Sequence, residues 1–365
     1  MVYRFLSAVL PFREVRHTEH MTGFRHPQIT SCLFVGVLLF GQLAAAQKPD
    51  KVEFRNGSRH SRMTLYGTIE DYSDGKLTLR MLNRGTTKTI LQHEVIDVQT
   101  PLVASHIKGL QAFRKKEFDS ARRHLEAALK DETRKWVHQD IRALMVQVES
   151  RVGDHTAAMV HFAKLIQLDS KTRHLHLIPL IWHSRITTSR EQNAARVLLT
   201  RTDLSIRLMG ASVLLSDSKN SWSGESELQS LVSSGKPNLV HLARAQLWRI
   251  KLREEIPSET MLAAMTSRIA SMPDSLKAGP YYLLGQAYLR RHEYDKAAVA
   301  FLRLPLVHDT DHRLAGQSAL EAAEALVAGG RLDESKTLFR EVATRFSDTP
   351  AAKFANAALK DTKPQ

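Results

Sequence analysis

The chain has 365 residues, 43% of them hydrophobic, which is enough for a packed core and leaves room for two domains of ordinary size. Lysine and arginine number 52 against 38 acidic residues, giving a net charge of +14 that draws the protein toward anionic partners such as envelope lipids, acidic glycans, acidic proteins or nucleic acid. A single cysteine, Cys32, excludes a disulfide framework.

The first 46 residues read as an export leader. Cys32 to Gly41 is an apolar run, and Ala44 and Ala46 satisfy the small-x-small rule for cleavage before Gln47. Met21, followed by Arg25 and His26, then reads as the start of a leader of ordinary length. A membrane span needs roughly 20 apolar residues, and this run is shorter and interrupted by Gln42, so an uncleaved anchor is the weaker alternative. Loss of residues 1–46 removes four arginines and two glutamates, which takes +14 to about +12. The expected location is periplasmic or secreted, in the cell envelope.

Residues 47–100 alternate with a period of two. Val52–Phe54, Met63–Ile69, Leu77–Leu79, Lys88–Ile90 and Val95–Val98 predict five short strands, separated by Asn56-Gly57, Ser73-Asp74-Gly75 and Asn83-Arg84-Gly85. Closure into a small barrel would remove the exposed edges. The pattern is similar to Sm-like small barrels. Asn56-Gly57-Ser58 is also a glycosylation sequon, although turn geometry alone accounts for Asn-Gly. Pro101 marks the next boundary.

Helical periodicity then takes over. In 101–170, Gly109, Phe118, Ala121, Leu125, Ala128 and Leu129 set one pattern, and Gly153, His155, Ala158, Phe162, Leu165 and Ile166 set a second that ends at Asp169. In 276–360 the first pattern returns as Gly285, Tyr294, Ala297, Phe301, Leu304 and Pro305, preceded by Tyr281, Leu284 and Tyr288. A fourth copy runs through Ala319, Ala323, Gly330, Leu332, Ser335, Phe339 and Val342. The small-residue position recurs at Ala121 and Ala158, then at Ala297 and Ser335. Those spacings exceed the 34 residues of a plain helical-hairpin repeat and imply small insertions in the turns. Alternation of small and large residues at these positions resembles the tetratricopeptide repeat (TPR). Between the pairs, 171–275 is amphipathic without the signature: Ala194–Leu199, Leu204–Leu215, Glu227–Val232 and Leu239–Ile250 predict helices, and Ser216 to Gly224 a polar loop. The expected fold is mainly α, an α-solenoid of tetratricopeptide-type hairpins preceded by a small five-stranded β-barrel-like domain.

Catalytic signatures are not found: there is no His-Glu-x-x-His, no Gly-x-Ser-x-Gly, no phosphate-cradling glycine loop and no mature cysteine. His174, His176 and His183, with Asp169, have metal-like spacing only if the segment is extended, and Pro179 leaves that open. Packing or surface roles are the plainer account of these histidines. No cofactor or metal is expected.

The resemblance implies a concave groove lined by the first helix of each hairpin. Carried over, its positions are His106, Leu110, Phe113 and Arg114, then Ala143, Gln147, Ser150 and Arg151, then Tyr282, Gln286, Leu289 and Arg290, and finally Leu320, Glu324, Val327 and Ala328. The Lys and Asn set with which some members clamp a C-terminal carboxylate is missing, so that mode is not expected. Arginine recurs at one position, as Arg114, Arg151 and Arg290, and a guanidinium fork suits carboxylates or phosphates. Each also falls near a helix end, where the helix dipole favours a cation whatever the function. Lys130 and Arg134 are basic residues expected outside the groove. The resulting expectation is a non-catalytic scaffold of the envelope that binds a protein partner with acidic segments, rather than nucleic acid. The alternative is a basic module for polyanions.

Overall fold

A computed structural model describes residues 48–56, 61–83, 85–217 and 221–361. The leader and its cleavage site, Gly57 and Ser58 of the sequon, and Arg84 lie outside the described residues.

All five predicted strands form: β1 (Asp50–Arg55), β2 (Arg62–Ser73), β3 (Lys76–Met81), β4 (Thr87–Leu91) and β5 (Val95–Gln99). The sheet is antiparallel with order β4-β3-β2-β1-β5. Period-two alternation buries Val52, Phe54, Ile69, Leu77, Leu79 and Ile90 on one face. The expected closure into a barrel is not what the strands do. β4 and β5 are the two edges of an open sheet and form no ladder with each other, although only Gln92, His93 and Glu94 separate them. There the Glu94 amide donates to the Leu91 carbonyl and the Val95 amide to the Gln92 carbonyl. Helices cover the buried face instead.

Fourteen α-helices follow among the described residues. The first four are α1 (Ala104–Arg114), α2 (Phe118–Asp131), α3 (Lys135–Val152) and α4 (His155–Leu168). The sheet's apolar face merges with Ala112, Ala121, Leu125, Trp136, Ile141 and Met145 of α1–α3 into a single core. Polar bridges reinforce the junction. Within the sheet the Ile69 amide of β2 donates to Asp50 Oδ2 of β1 at 2.6 Å, and across the junction Arg134 reaches Thr100 Oγ1 at 2.6 Å and the Pro101 carbonyl at 2.7 Å while paired to Glu132. Arg134 is therefore a tie between sheet and helices rather than a spare surface cation.

The middle contains α5 (Ser189–Leu199), α6 (Leu204–Leu214), α7 (Ser221–Val232), α8 (Pro237–Glu254) and α9 (Glu259–Ala270). Their starts are written in the sequence. Thr188 and Glu191 form a reciprocal capping box, Asp203 and Ser258 cap α6 and α9, and Pro237 occupies the first turn of α8. The predicted loop Ser216–Gly224 is shorter than expected. Ser221–Gly224 belongs to α7, where packing on α6 outweighs a serine- and glycine-rich composition.

The last five are α10 (Ala278–Arg290), α11 (Tyr294–Val307), α12 (His312–Ala328), α13 (Leu332–Arg345) and α14 (Pro350–Asp361). Each matching segment of the sequence is a pair of consecutive helices packed on one another: α1 with α2, α3 with α4, α10 with α11, α12 with α13. Glycine is required where the first and third pairs touch. A Cβ on Gly285 would lie 2.6 Å from the Phe301 ring, and one on Gly109 would lie 2.7 Å from Leu125 Cδ2. Pro305, inside α11, cannot donate to the Phe301 carbonyl one turn back, and the buried Ser318 hydroxyl of α12 donates to that oxygen at 2.8 Å instead.

Candidate functional site

Of the expected groove residues His106, Phe113, Arg114, Arg151, Tyr282, Gln286 and Arg290, two are buried in the core. His106 is buried, with Nδ1 unpartnered among the described residues, and burial holds its ring below the ordinary histidine value. Tyr282 is buried too. Its hydroxyl donates to Glu321 of α12, Gln286 donates to the same carboxylate, and Gln317 Nε2 adds a bond at 3.0 Å. Burial raises the Glu321 carboxyl above its usual range, and the neighbouring Glu324 is raised in the same way. This network knits α10 to α12 and leaves neither Tyr282 nor Gln286 free to meet a partner.

Arg114, Arg151 and Arg290 each occupy the last turn of their helix, as the dipole prefers. Arg151 is already neutralised: its Nη1 donates to Asp348 Oδ2 at 3.0 Å, and its guanidinium lies 5.7 Å from the Phe113 ring. Lys116 reaches Asp348 Oδ1 at 2.8 Å, and His312 Nε2 lies 3.2 Å from the same oxygen. The bridge joins the α1–α2 and α3–α4 pairs to the turn before α14. Arg114 is exposed, whereas Arg151 spends its charge on Asp348 within the chain.

What α6 and α8 hold is this chain's own backbone. Residues 169–188 connect α4 to α5 with only one short 3-10 turn, Leu175–Leu177, yet Ile178, Leu180, Ile181 and Trp182 are buried. The Ile181 amide donates to Ser212 Oγ at 2.9 Å, and its carbonyl accepts from Gln246 Nε2 at 3.1 Å. Ser212 Oγ in turn donates to Gln246 Oε1 at 2.9 Å. Trp182 packs against α10 at Gly279, where a Cβ would fall 2.0 Å from the indole. Arg249 completes the clamp, donating to the Ser212 carbonyl, Gln246 Oε1 and Ser216 Oγ. Burial without a carboxylate lowers Arg249 to about 9, which still leaves it cationic at neutral pH. Ser212 and Gln246 escaped notice in the sequence, although a fully buried polar residue on each helix's apolar face was the available signal.

The histidines of this segment go elsewhere. His174 Nε2 lies 2.9 Å from Asp140 Oδ1, an oxygen that also accepts from Arg173 at 2.5 Å, and Arg173 stacks 4.2 Å over the Tyr72 ring of β2. Burial opposes ionisation of Asp140, but Arg173 and His174 outweigh it and hold the carboxyl at about 2. His176 and His183 are pushed down to about 4, mainly by burial. Among the described residues no group of three or more His, Cys, Asp or Glu could hold a metal ion, and no helix is long and apolar enough to cross a membrane.

An open cleft of about 500 Å³ runs along α9 beside α10 and α11. Leu262, Ala263 and Tyr288 give it apolar wall, and Glu259, Glu293 and Lys296 give it charge. Lys296 pairs with Glu293 at 2.7 Å and lies 5.7 Å over the Tyr288 ring. Only α10 of its walls carried a groove position in the sequence, because α9 shows no repeat signature. Comparison with family models, with curated proteins and with solved structures returns no match.

Proposed function

We propose that this chain is a non-catalytic interaction scaffold of the cell envelope, an α-solenoid of tetratricopeptide-type hairpins that holds an extended segment of a protein partner. The observation that carries the reading is the Ser212–Gln246 clamp on Ile181. A side-chain hydroxyl and amide that engage one residue's N–H and C=O bind extended backbone irrespective of its side chains. The chain's own segment fills the course at α6 and α8, so the partner's place is the open cleft along α9, α10 and α11. That cleft falls in the size range of ligand sites and offers apolar wall with few fixed charges, which suits a short amphipathic segment.

A photoreactive residue at Ala263, in the cleft, should crosslink a discrete partner in the native envelope fraction, while one at Arg340, exposed on α13, should not. Indistinguishable patterns from the two positions would end the cleft reading. The envelope location rests on the leader, and mass spectrometry of the native protein should find an N-terminus near Gln47. Polyanion binding is the second reading, favoured by the net charge of +14. Partner capture by the cleft should persist at salt concentrations that abolish counterion-driven binding.

A further inference from the structure

On the other side of α9 lies a second, small cleft of about 50 Å³, lined by His241, Arg244, Trp248, Arg268, Ser271 and Met272. His241, Arg244 and Trp248 stand at i, i+3 and i+7 on α8 and so share one stripe of that helix. Arg268, Ser271 and Met272 come from the end of α9 and the residues just after it. The gap exists because α9 packs on α10 rather than closing on α8.

Its lining carries three nitrogen bases and no carboxylate. Arg244 is half-buried and makes no ion pair or hydrogen bond among the described residues. Three other arginines in this part of the fold are engaged: Arg207 with Glu227, Arg249 with the Ser212 carbonyl, and Arg253 with the Leu215 carbonyl. Arg268 is likewise without a protein acceptor among the described residues. The Ser271 hydroxyl is already used on the Arg268 carbonyl at 2.8 Å, so the free donors facing the cleft are the two guanidiniums and the imidazole. Burial holds His241 below its ordinary value, and Arg244 and Arg268 press it further down. Two guanidiniums, half-buried Arg244 and exposed Arg268, beside one concavity with no carboxylate on its wall make it a favourable place for an anion.

We propose that the cleft between α8 and α9 binds a compact oxyanion of the phosphate class through Arg244, Arg268 and His241, with the Trp248 indole as its apolar wall. Two guanidinium forks match tetrahedral oxygens, and the cleft's volume suits one such group rather than a nucleotide base or a sugar ring. The site stands apart from the open cleft beside Tyr288 and does not depend on the partner reading. It also differs from diffuse polyanion attraction, because a single pair of arginines should account for it.

Calorimetric titration of the full chain, at fixed ionic strength in chloride, would use inorganic phosphate and phenyl phosphate as probes. Saturable one-to-one binding of either is expected. The Arg244→Gln, Arg268→Gln double variant should lose at least about tenfold in affinity, the equivalent of one charge-assisted hydrogen bond. Arg190→Gln with Arg201→Gln, two exposed cations on and beside α5, makes the same change in net charge and should bind as the parent does. Arg244→Lys keeps the charge without the fork and should fall between, which guards against a misfolded double variant. Tighter binding of phenyl phosphate would identify a phosphomonoester of a larger molecule as the natural source, and tighter binding of inorganic phosphate the free ion. No saturable heat with either probe, or an equal loss in the charge-matched control, would overturn the site.

Discussion

At the level of single residues, this protein's helix pairs depend on a few atoms that must be present or absent. Ala297 is fully buried where α10 meets α11, beside Phe301, itself fully buried. A side chain of Phe301's size contributes about 1.5–3 kcal/mol on burial, and Gly285 facing it from α10 lets it sit there. Ala297→Trp should therefore overpack the pair and cost about 1–3 kcal/mol or more in a urea unfolding titration. An unchanged midpoint would show that the two helices do not meet at Ala297. Ser318→Ala tests the opposite kind of dependence. It deletes one oxygen and leaves the Phe301 carbonyl, orphaned by Pro305, without a donor inside the core. The expected loss is about 1–3 kcal/mol, the cost of a buried unsatisfied acceptor. Replacing Pro305 by Ala in the same background restores the missing N–H and should recover part of that loss. If the double variant is no more stable than Ser318→Ala alone, the hydroxyl is not standing in for the proline's missing donor.

At the level of elements, sequence and structure agree wherever a local period decides the outcome. The five strands and the four matching helix pairs were legible because alternation by two, and large-small patterns at helical spacing, express which face is buried. Barrel closure was not legible, since whether β4 pairs with β5 depends on the turn at 92–94 and on the helices that cover the face. The candidate site suffered most. Tyr282 and Arg151 lie on the helices anticipated, but their partners Glu321 and Asp348 come from distant parts of the chain, and no local pattern announces them. The segment 169–188 is the extreme case: it has no period, and tertiary hydrogen bonds fix its course. Gln246→Ala removes the donor to Ile181 and an acceptor of both Ser212 and Arg249, with an expected cost of about 1–3 kcal/mol. The segment should loosen before the helices do, so trypsin should cut faster after Arg185, while the circular dichroism of the helices is retained. Cleavage at the parental rate would mean that the apolar contacts of Ile181 and Trp182 suffice to hold it.

At the level of the whole molecule, the bridge at Asp348 joins helices near both ends of the helical region and gives the protein a calculable response to pH. Burial pushes the Asp348 carboxyl up, but the Lys116 hydrogen bond and the His312 and Lys116 charges outweigh it and hold it well below the usual carboxylate range. Burial, and then Arg151, hold His312 below its own ordinary value, while Asp348 pulls the other way. For an acid lowered on folding, the stabilisation is complete above the unfolded value, roughly 3.9, and is lost as the pH falls further. For a histidine lowered on folding, the unfolded chain takes up a proton below roughly 6.5 while the folded chain resists it, so stability also falls with pH, over a higher window. His155, His161, His176 and His183, all held at about 4 chiefly by burial, act in the same direction as His312. Glu321, Glu324 and Asp311, whose carboxyls burial raises, oppose it by taking up protons in the folded state. Unfolding free energies measured in urea should accordingly decline from pH 7 to pH 5, and the decline should steepen in Glu324→Gln, which removes one of the opposing groups. Asp348→Asn adds a finer test. Loss of the carboxylate should cost about 1–2 kcal/mol at pH 7, less than a fully buried pair would, because Lys116 is 43% exposed and partly screened. His312 in that variant no longer has the charge that drew its value upward, so protonation of the folded state becomes harder still. The gap between parent and variant should therefore be wider at pH 5 than at pH 7, and it should narrow with added salt at both. A gap that is the same at both pH values would mean that His312 does not sense Asp348, and that the bridge is made by Lys116 and Arg151 alone.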